Sequence, residues 1–108
     1  MVDAGLLVFA AFIAPYEESR QYVRDLMGGY SYYECYVKCA LEVCEARDPK
    51  GLYRKARRGE ITNMTGISAP FEEPSAPDLV VETDQCELEV CVDNVIKFLN
   101  QQRLIILR

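Results

Sequence analysis

The chain has 108 residues, half of them apolar, and a formal net charge of −5. That is enough for one small domain with one core, and the acidic balance argues against general nucleic-acid binding, which asks for a basic domain. With no histidine anywhere, imidazole acid–base catalysis and histidine-ligated metal sites are excluded.

Leu6–Phe12 (LLVFAAF) is a continuous apolar run with no polar alternation. That pattern predicts a central strand buried on both faces of a parallel sheet. A strand of that kind needs neighbours on both sides, so an upstream segment or a partner is expected to supply them. The run Leu6–Ala14 is too short to span a bilayer and is preceded by Asp3 rather than by Lys or Arg. No membrane or secretory role is therefore expected, and the chain reads as cytoplasmic. The loop Ile13–Tyr16 follows at the carboxyl end of this strand, where ligands bind in open α/β sheets.

Glu17 and Glu18 favour a helix start. Tyr22, Val23, Leu26 and Met27 give it an apolar stripe expected in the core, and Gly28-Gly29 ends it. Tyr30–Val37 (YSYYECYV) reads as a second strand, joined to the first by a right-handed crossover. Its tyrosines at 30, 32, 33 and 36 are expected to pack on a sheet rather than to form a stacking platform. The five cysteines (Cys35, Cys39, Cys44, Cys86, Cys91) are odd in number and form no CxxC pair. A zinc site is a weak reading, and buried or half-buried thiols are expected in preference to disulfides.

Ala40–Arg47 is predicted as a short helix that Asp48-Pro49 terminates. Gly51 frees the backbone, and Leu52–Arg58 resumes as a second helix closed by Gly59. Half of the chain's basic residues (Arg47, Lys50, Arg54, Lys55, Arg57, Arg58) lie in positions 47–58, opposed there by Asp48 alone. Helix, break and charged helix have the form of a movable lid. An anionic ligand and attraction to the acidic remainder of the chain are the two explanations of its charge. Residues 59–78 are a proline-bearing loop long enough to suggest function. Leu79–Val81 is a brief third strand. Thr83-Asp84, with Glu87, suggests a capping box for a helix whose stripe is Leu88, Cys91, Val92, Val95, Ile96 and Leu99. Leu104–Leu107 could add a terminal strand.

The order β-α-β-α-lid-loop-β-α-(β) is that of a three-layer α/β domain. A basic lid over the carboxyl ends of parallel strands suits phosphate transfer, which depends on positioning and positive charge more than on an acid–base pair. No GxxxxGK[ST] loop occurs, so nothing in these residues cradles nucleotide β- and γ-phosphates.

Three segments, DAGLLVFAAFIAPY (3–16), LEVCEARDPKGLYRKARRGEITNMTGI (41–67) and PFEEPSAPDLVVET (70–83), resemble the C-terminal half of adenylylsulfate kinase (APS kinase). The most specific part is the CExRDxKGLYxKARxGEI signature. The resemblance implies a partial P-loop-kinase-like fold, with a parallel sheet, helices on both faces and a basic lid over about 47–67. Residues 1–108 would be the C-terminal portion of an APS kinase domain. The family phosphorylates adenosine 5′-phosphosulfate (APS) at its 3′-hydroxyl with ATP and Mg²⁺, giving PAPS in sulfate assimilation. By resemblance Phe12, Ile13, Ala14, Lys50, Asn63 and Met64 face APS. Arg47 and the stretch Thr83–Cys86 border the ATP adenine, and Arg54, Lys55 and Arg57 belong to the lid.

The chain departs from the family pattern in four ways. The P-loop and the Asp-Gly-Asp-Asn segment that helps position Mg²⁺ are absent, so no metal site and no catalytic residue are assigned, and whether the chain is itself an enzyme is left open. The turn serine is Ala14, the stacking phenylalanine is Met64, and Ser68 stands where aspartate is usual. A fragment, a truncated reading frame or one piece of a split enzyme is expected, inactive alone and completed by an N-terminal half or a homodimer partner. The alternative is a non-catalytic module that binds adenylyl nucleotides or a partner. The glycine hinge and the Asn63-Met64 segment favour an anionic ligand as the reason for the basic arm.

Overall fold

The computed structural model describes residues 7–104. Its elements run α1 (Glu17–Leu26), β1 (Cys35–Lys38), α2 (Leu41–Arg47), α3 (Leu52–Arg57), β2 (Leu79–Glu82) and α4 (Leu88–Gln101). β1 and β2 form a two-stranded parallel sheet in the register Cys35–Leu79 to Lys38–Glu82. A parallel pair needs a crossover, and here the crossover is α2, α3 and the long loop. The α/β architecture with a parallel sheet is as the sequence implied, on a smaller scale.

The predicted first strand is not formed over its described residues. Positions 7–12 are irregular, with Phe9 71% and Phe12 85% exposed; Leu6 lies outside the described residues. An apolar run supplies side chains for a buried strand but not the neighbouring backbone that makes it one, and among the described residues no ladder reaches positions 7–12. The crossover expected between the first and second strands is therefore not formed among the described residues either. The second strand is also shorter than predicted, because residues 30–34 are irregular. The Asp78 carboxylate accepts the Glu34 amide at 2.6 Å, and the Asp78 amide donates to the Glu34 carbonyl at 2.9 Å. Arg24 on α1 reaches Asp78 at 3.3 Å and lies over the Tyr32 ring.

The core is small. Ala56, Val81 and Cys91 are the buried apolar residues described. α4 packs on β2 through Cys91, and Tyr33 meets Phe98 edge-to-face at 5.4 Å. Of the four tyrosines expected to pack on a sheet, Tyr36 alone lies in a strand, where it packs against Phe71 and donates its hydroxyl to Glu73, whereas Tyr30, Tyr32 and Tyr33 precede β1. The helix stripes are only partly covered. Tyr22, Val23 and Leu26 on α1, and Leu88 and Val92 on α4, are exposed, since two strands cannot cover two amphipathic helices.

Residues 83–86 turn on the Glu82 carbonyl instead of starting a helix, and α4 begins at Leu88. The predicted capping box fails because Asp84 is committed elsewhere: its carboxylate accepts the Ala40 amide at 2.9 Å, at the head of α2. All five cysteines are free thiols, Cys91 buried and Cys35 and Cys86 exposed. The suggested terminal strand lies largely outside the described residues, and Leu104, which is described, is not in one.

Candidate functional site

The carboxyl ends of β1 and β2 carry the first cluster. The Thr83 amide donates to the Lys38 carbonyl at 2.9 Å, fixing the chain as it leaves β2. Arg47, at the last turn of α2, donates to the Thr83 carbonyl at 2.9 Å. Arg47 and Thr83, which the family resemblance places at one nucleotide edge, are thus joined across 36 positions of chain. Asp84 lies beside them. The Ala40 amide holds its carboxyl below the usual value, and Arg47 adds to the effect. Cys86 closes the turn that follows, exposed.

The arm comes next. Asp48 ends α2 and starts α3: its two carboxylate oxygens accept the amides of Tyr53 (3.1 Å) and Arg54 (3.2 Å), donors that helix geometry leaves without intrahelical partners. Burial alone would raise its carboxyl. The two amides and the Arg54 guanidinium outweigh burial, and the carboxyl sits below its ordinary value. Between them Gly51 takes φ 69°, in the left-handed region that suits glycine. At the far end Gly59, at φ 77°, closes a Schellman motif: Glu60 N donates to Lys55 O, and Gly59 N to Ala56 O.

The arm's charge is partly neutralised within the fold. Arg57 makes a two-point contact with Glu45 (2.6 and 3.2 Å), and Arg54 lies 3.4 Å from Asp48. The hydrogen bond from Arg57 is the main reason the Glu45 carboxyl sits low. Among the described residues Lys50, Lys55 and Arg58 have no ion-pair partner. Attraction to acids thus explains part of the arm, and a further set of cations stays available. The guanidinium sides of Arg54 and Arg57 are mostly solvent-exposed, so these pairs are weak enough to exchange. With Tyr53 and Arg58 they line an open cleft of about 250 Å³.

The turn at 12–14 forms the third part. Phe12 and Ile13 are exposed, and Ala14 has φ 41°, a conformation costing a non-glycine residue on the order of 1–2 kcal/mol. Asn63 also has positive φ, at 56°. The carbonyl of Met64 accepts the amides of Ile67, Ser68 and Ala69, while its own amide donates to the Ser68 hydroxyl at 2.7 Å. Ser68, noted in the sequence only as a departure, is what closes this turn. Among the described residues no hydrogen bond or ion pair ties Lys50, Asn63 or Met64 to the 12–14 turn.

The sequence reading missed Asp48 as a cap, Glu45 as a partner of Arg57, and Arg20. The Glu17–Arg20 pair at helical spacing was the available signal for the last of these. No three acidic or thiol side chains converge to hold a cation among the described residues.

Comparison with known proteins gives a consistent result. A family model described as adenylylsulphate kinase matches residues 1–82. The adenylyl-sulfate kinase of Oceanobacillus iheyensis is 51% identical over 105 residues, covering 97% of this chain and 53% of the relative. That of Geotalea uraniireducens is 52% identical over 101 residues, covering 94% and 49%. The APS kinase of Mycobacterium tuberculosis, solved in complex with AMPPNP and APS, superposes with a TM-score of 0.82 at 41% identity, covering 91% of this chain and 57% of that one. The chain spans about half the length of the curated relatives it matches.

Proposed function

The chain belongs to the adenylylsulphate kinase family, and from that premise we propose that it carries the APS-facing turn, the lid and the adenine edge of a kinase that phosphorylates APS with ATP to give PAPS. Phe12, Ile13, Ala14, Lys50, Asn63 and Met64 contact APS in this reading. Arg47, Thr83 and Cys86 border the ATP adenine. Lys55 and the exchangeable Arg54 and Arg57 move with the lid over the phosphates, where their positive charge offsets phosphate charge and closure excludes water.

One observation carries the reading: the likeness over 91% of this chain to an APS kinase solved with both APS and an ATP analogue. The Arg47–Thr83 contact agrees with it. The 108 residues hold no GxxxxGK[ST] loop, so they are assigned the holding of APS and adenine. Phosphoryl transfer awaits a phosphate cradle from elsewhere. A second reading, a module that binds adenylyl nucleotides without chemistry, is favoured by the presence of Lys50 and Arg47 beside Ala14 and Met64, which stand where the family has serine and phenylalanine.

Calorimetric titration of the folded chain with APS tests the proposal. Saturable heat is expected, weakened in Lys50→Ala and Asn63→Ala. A folded chain that takes up no APS would end both readings. Formation of PAPS by the chain with ATP, Mg²⁺ and APS would overturn the division of labour.

A further inference from the structure

We propose that Arg20 is a positioning residue for the APS-facing turn, holding Ala14 in its left-handed conformation by tying the turn to the loop at 72–75; the inference rests on the reading of that turn as the APS contact. Arg20 is buried, at 8% exposure, yet belongs to α1, a helix with no other buried residue. Its guanidinium is spread over three segments. One terminal nitrogen donates to the Ala14 carbonyl. The other donates to the Glu72 carbonyl and to the Glu17 carboxylate. Its Nε is buried with no hydrogen-bond partner among the described residues. A buried guanidinium nitrogen left unpaired is costly, and an arginine kept there despite that cost is held by what its terminal nitrogens do.

The surrounding bonds run the same way. The Glu72 amide donates to the Pro15 carbonyl at 2.7 Å, and the Glu72 carboxylate accepts the Glu17 amide at 2.8 Å. Ser75 donates its hydroxyl to Glu17 at 3.1 Å. Phe71 lies beneath the guanidinium and against Tyr36 of β1, so the assembly is anchored to the sheet. Residues 14–17 and 72–75 are thereby one unit with Arg20 at its centre. Ala14 has φ 41°, which an alanine keeps only where its surroundings over-determine it. Arg20 supplies that constraint through the backbone, by its bonds to the Ala14 and Glu72 carbonyls. Lysine, with a single point of charge, cannot serve two carbonyls and a carboxylate in a planar fork.

The test compares Arg20→Gln, Arg20→Lys, Ala14→Gly and the double variant Ala14→Gly/Arg20→Gln in the full chain. APS and AMPPNP are titrated separately, and amide exchange is followed at Glu17 and Glu72. Arg20→Gln is expected to weaken APS about tenfold, the scale of one charge-assisted hydrogen bond, to leave AMPPNP unchanged, and to speed exchange at both amides. Glycine takes left-handed φ without a clamp, so Ala14→Gly should restore APS affinity to Arg20→Gln, which it would not do if Arg20 served stability alone. Equal losses for APS and AMPPNP without that rescue would overturn the proposal, as would APS affinity that ignores Arg20. Should Arg20→Gln fail to fold, Arg20→Lys carries the same comparison. Should the wild-type chain bind no APS, the substrate reading falls, and the clamp is decided by exchange: unaltered rates at Glu17 and Glu72 would sink it.

Discussion

Asp48 shows how much one side chain decides in this molecule. It was legible as the stop of α2, since it precedes proline, but not as the cap of α3, which depends on the Gly51 turn folding the chain back onto it. Its depressed carboxyl fixes the sign of a pH effect. A group whose pKa falls on folding stabilises fully above its unfolded value, about 3.9, and that contribution is lost as the pH drops through the lower folded value. Asp48→Asn should therefore lower the unfolding midpoint at neutral pH and flatten its dependence on pH below about 4, as read by circular dichroism at a series of pH values. Met64→Phe is the complementary change at the ligand. If Met64 packs on the APS adenine, an offset ring stack should add about 0.5–1.5 kcal/mol of binding. Calorimetry giving equal or weaker APS binding by Met64→Phe would count against that placement.

At the level of elements, two helix ends are built alike from different residues. α3 closes on Gly59, while α4 closes on Arg103 at φ 58°, with Leu104 N donating to Leu99 O and Arg103 N to Asn100 O. Both are Schellman motifs, and only one has glycine at the left-handed position. Substitutions should have opposite signs: Gly59→Ala should destabilise by about 1 kcal/mol, and Arg103→Gly should stabilise by up to about 1 kcal/mol, less where the end frays. Chemical denaturation of the two variants checks both. The helices themselves were readable from spacing and end signals, α1 and α3 nearly to their limits. The start of α4 was not, because Asp84 had two possible amides to accept, and only the approach of α2 to β2 determined that it takes Ala40.

Over the whole molecule, the accessible surface is 8472 Å², against about 6,100 Å² for a compact monomer of this size. The radius of gyration is 16.1 Å, against about 13 Å. Phe9, Phe12, Ile13, Tyr22, Leu26, Val37 and Leu88 contribute apolar surface to the excess. Surfaces of that kind favour association. The chain should bind a hydrophobic dye in its native state and sediment as larger species with rising concentration. A sharp cooperative melt of a clean monomer would be the contrary result.

By itself the sequence determined the positions of α1, α2 and α3, the strand at Leu79, the basic arm and the family, since each depends on local spacing, turn chemistry or an ordered run of residue types. Only the tertiary structure decided which apolar stripes are covered, whether the described residues 7–12 have neighbours to pair with, and which of the arm's cations are already answered by Asp48 and Glu45. It also brought Arg20 into contact with residues 52 positions away. Burial and pairing are properties of surfaces that meet in space, and hydrophobic patterning names the residues able to be buried without naming what will cover them.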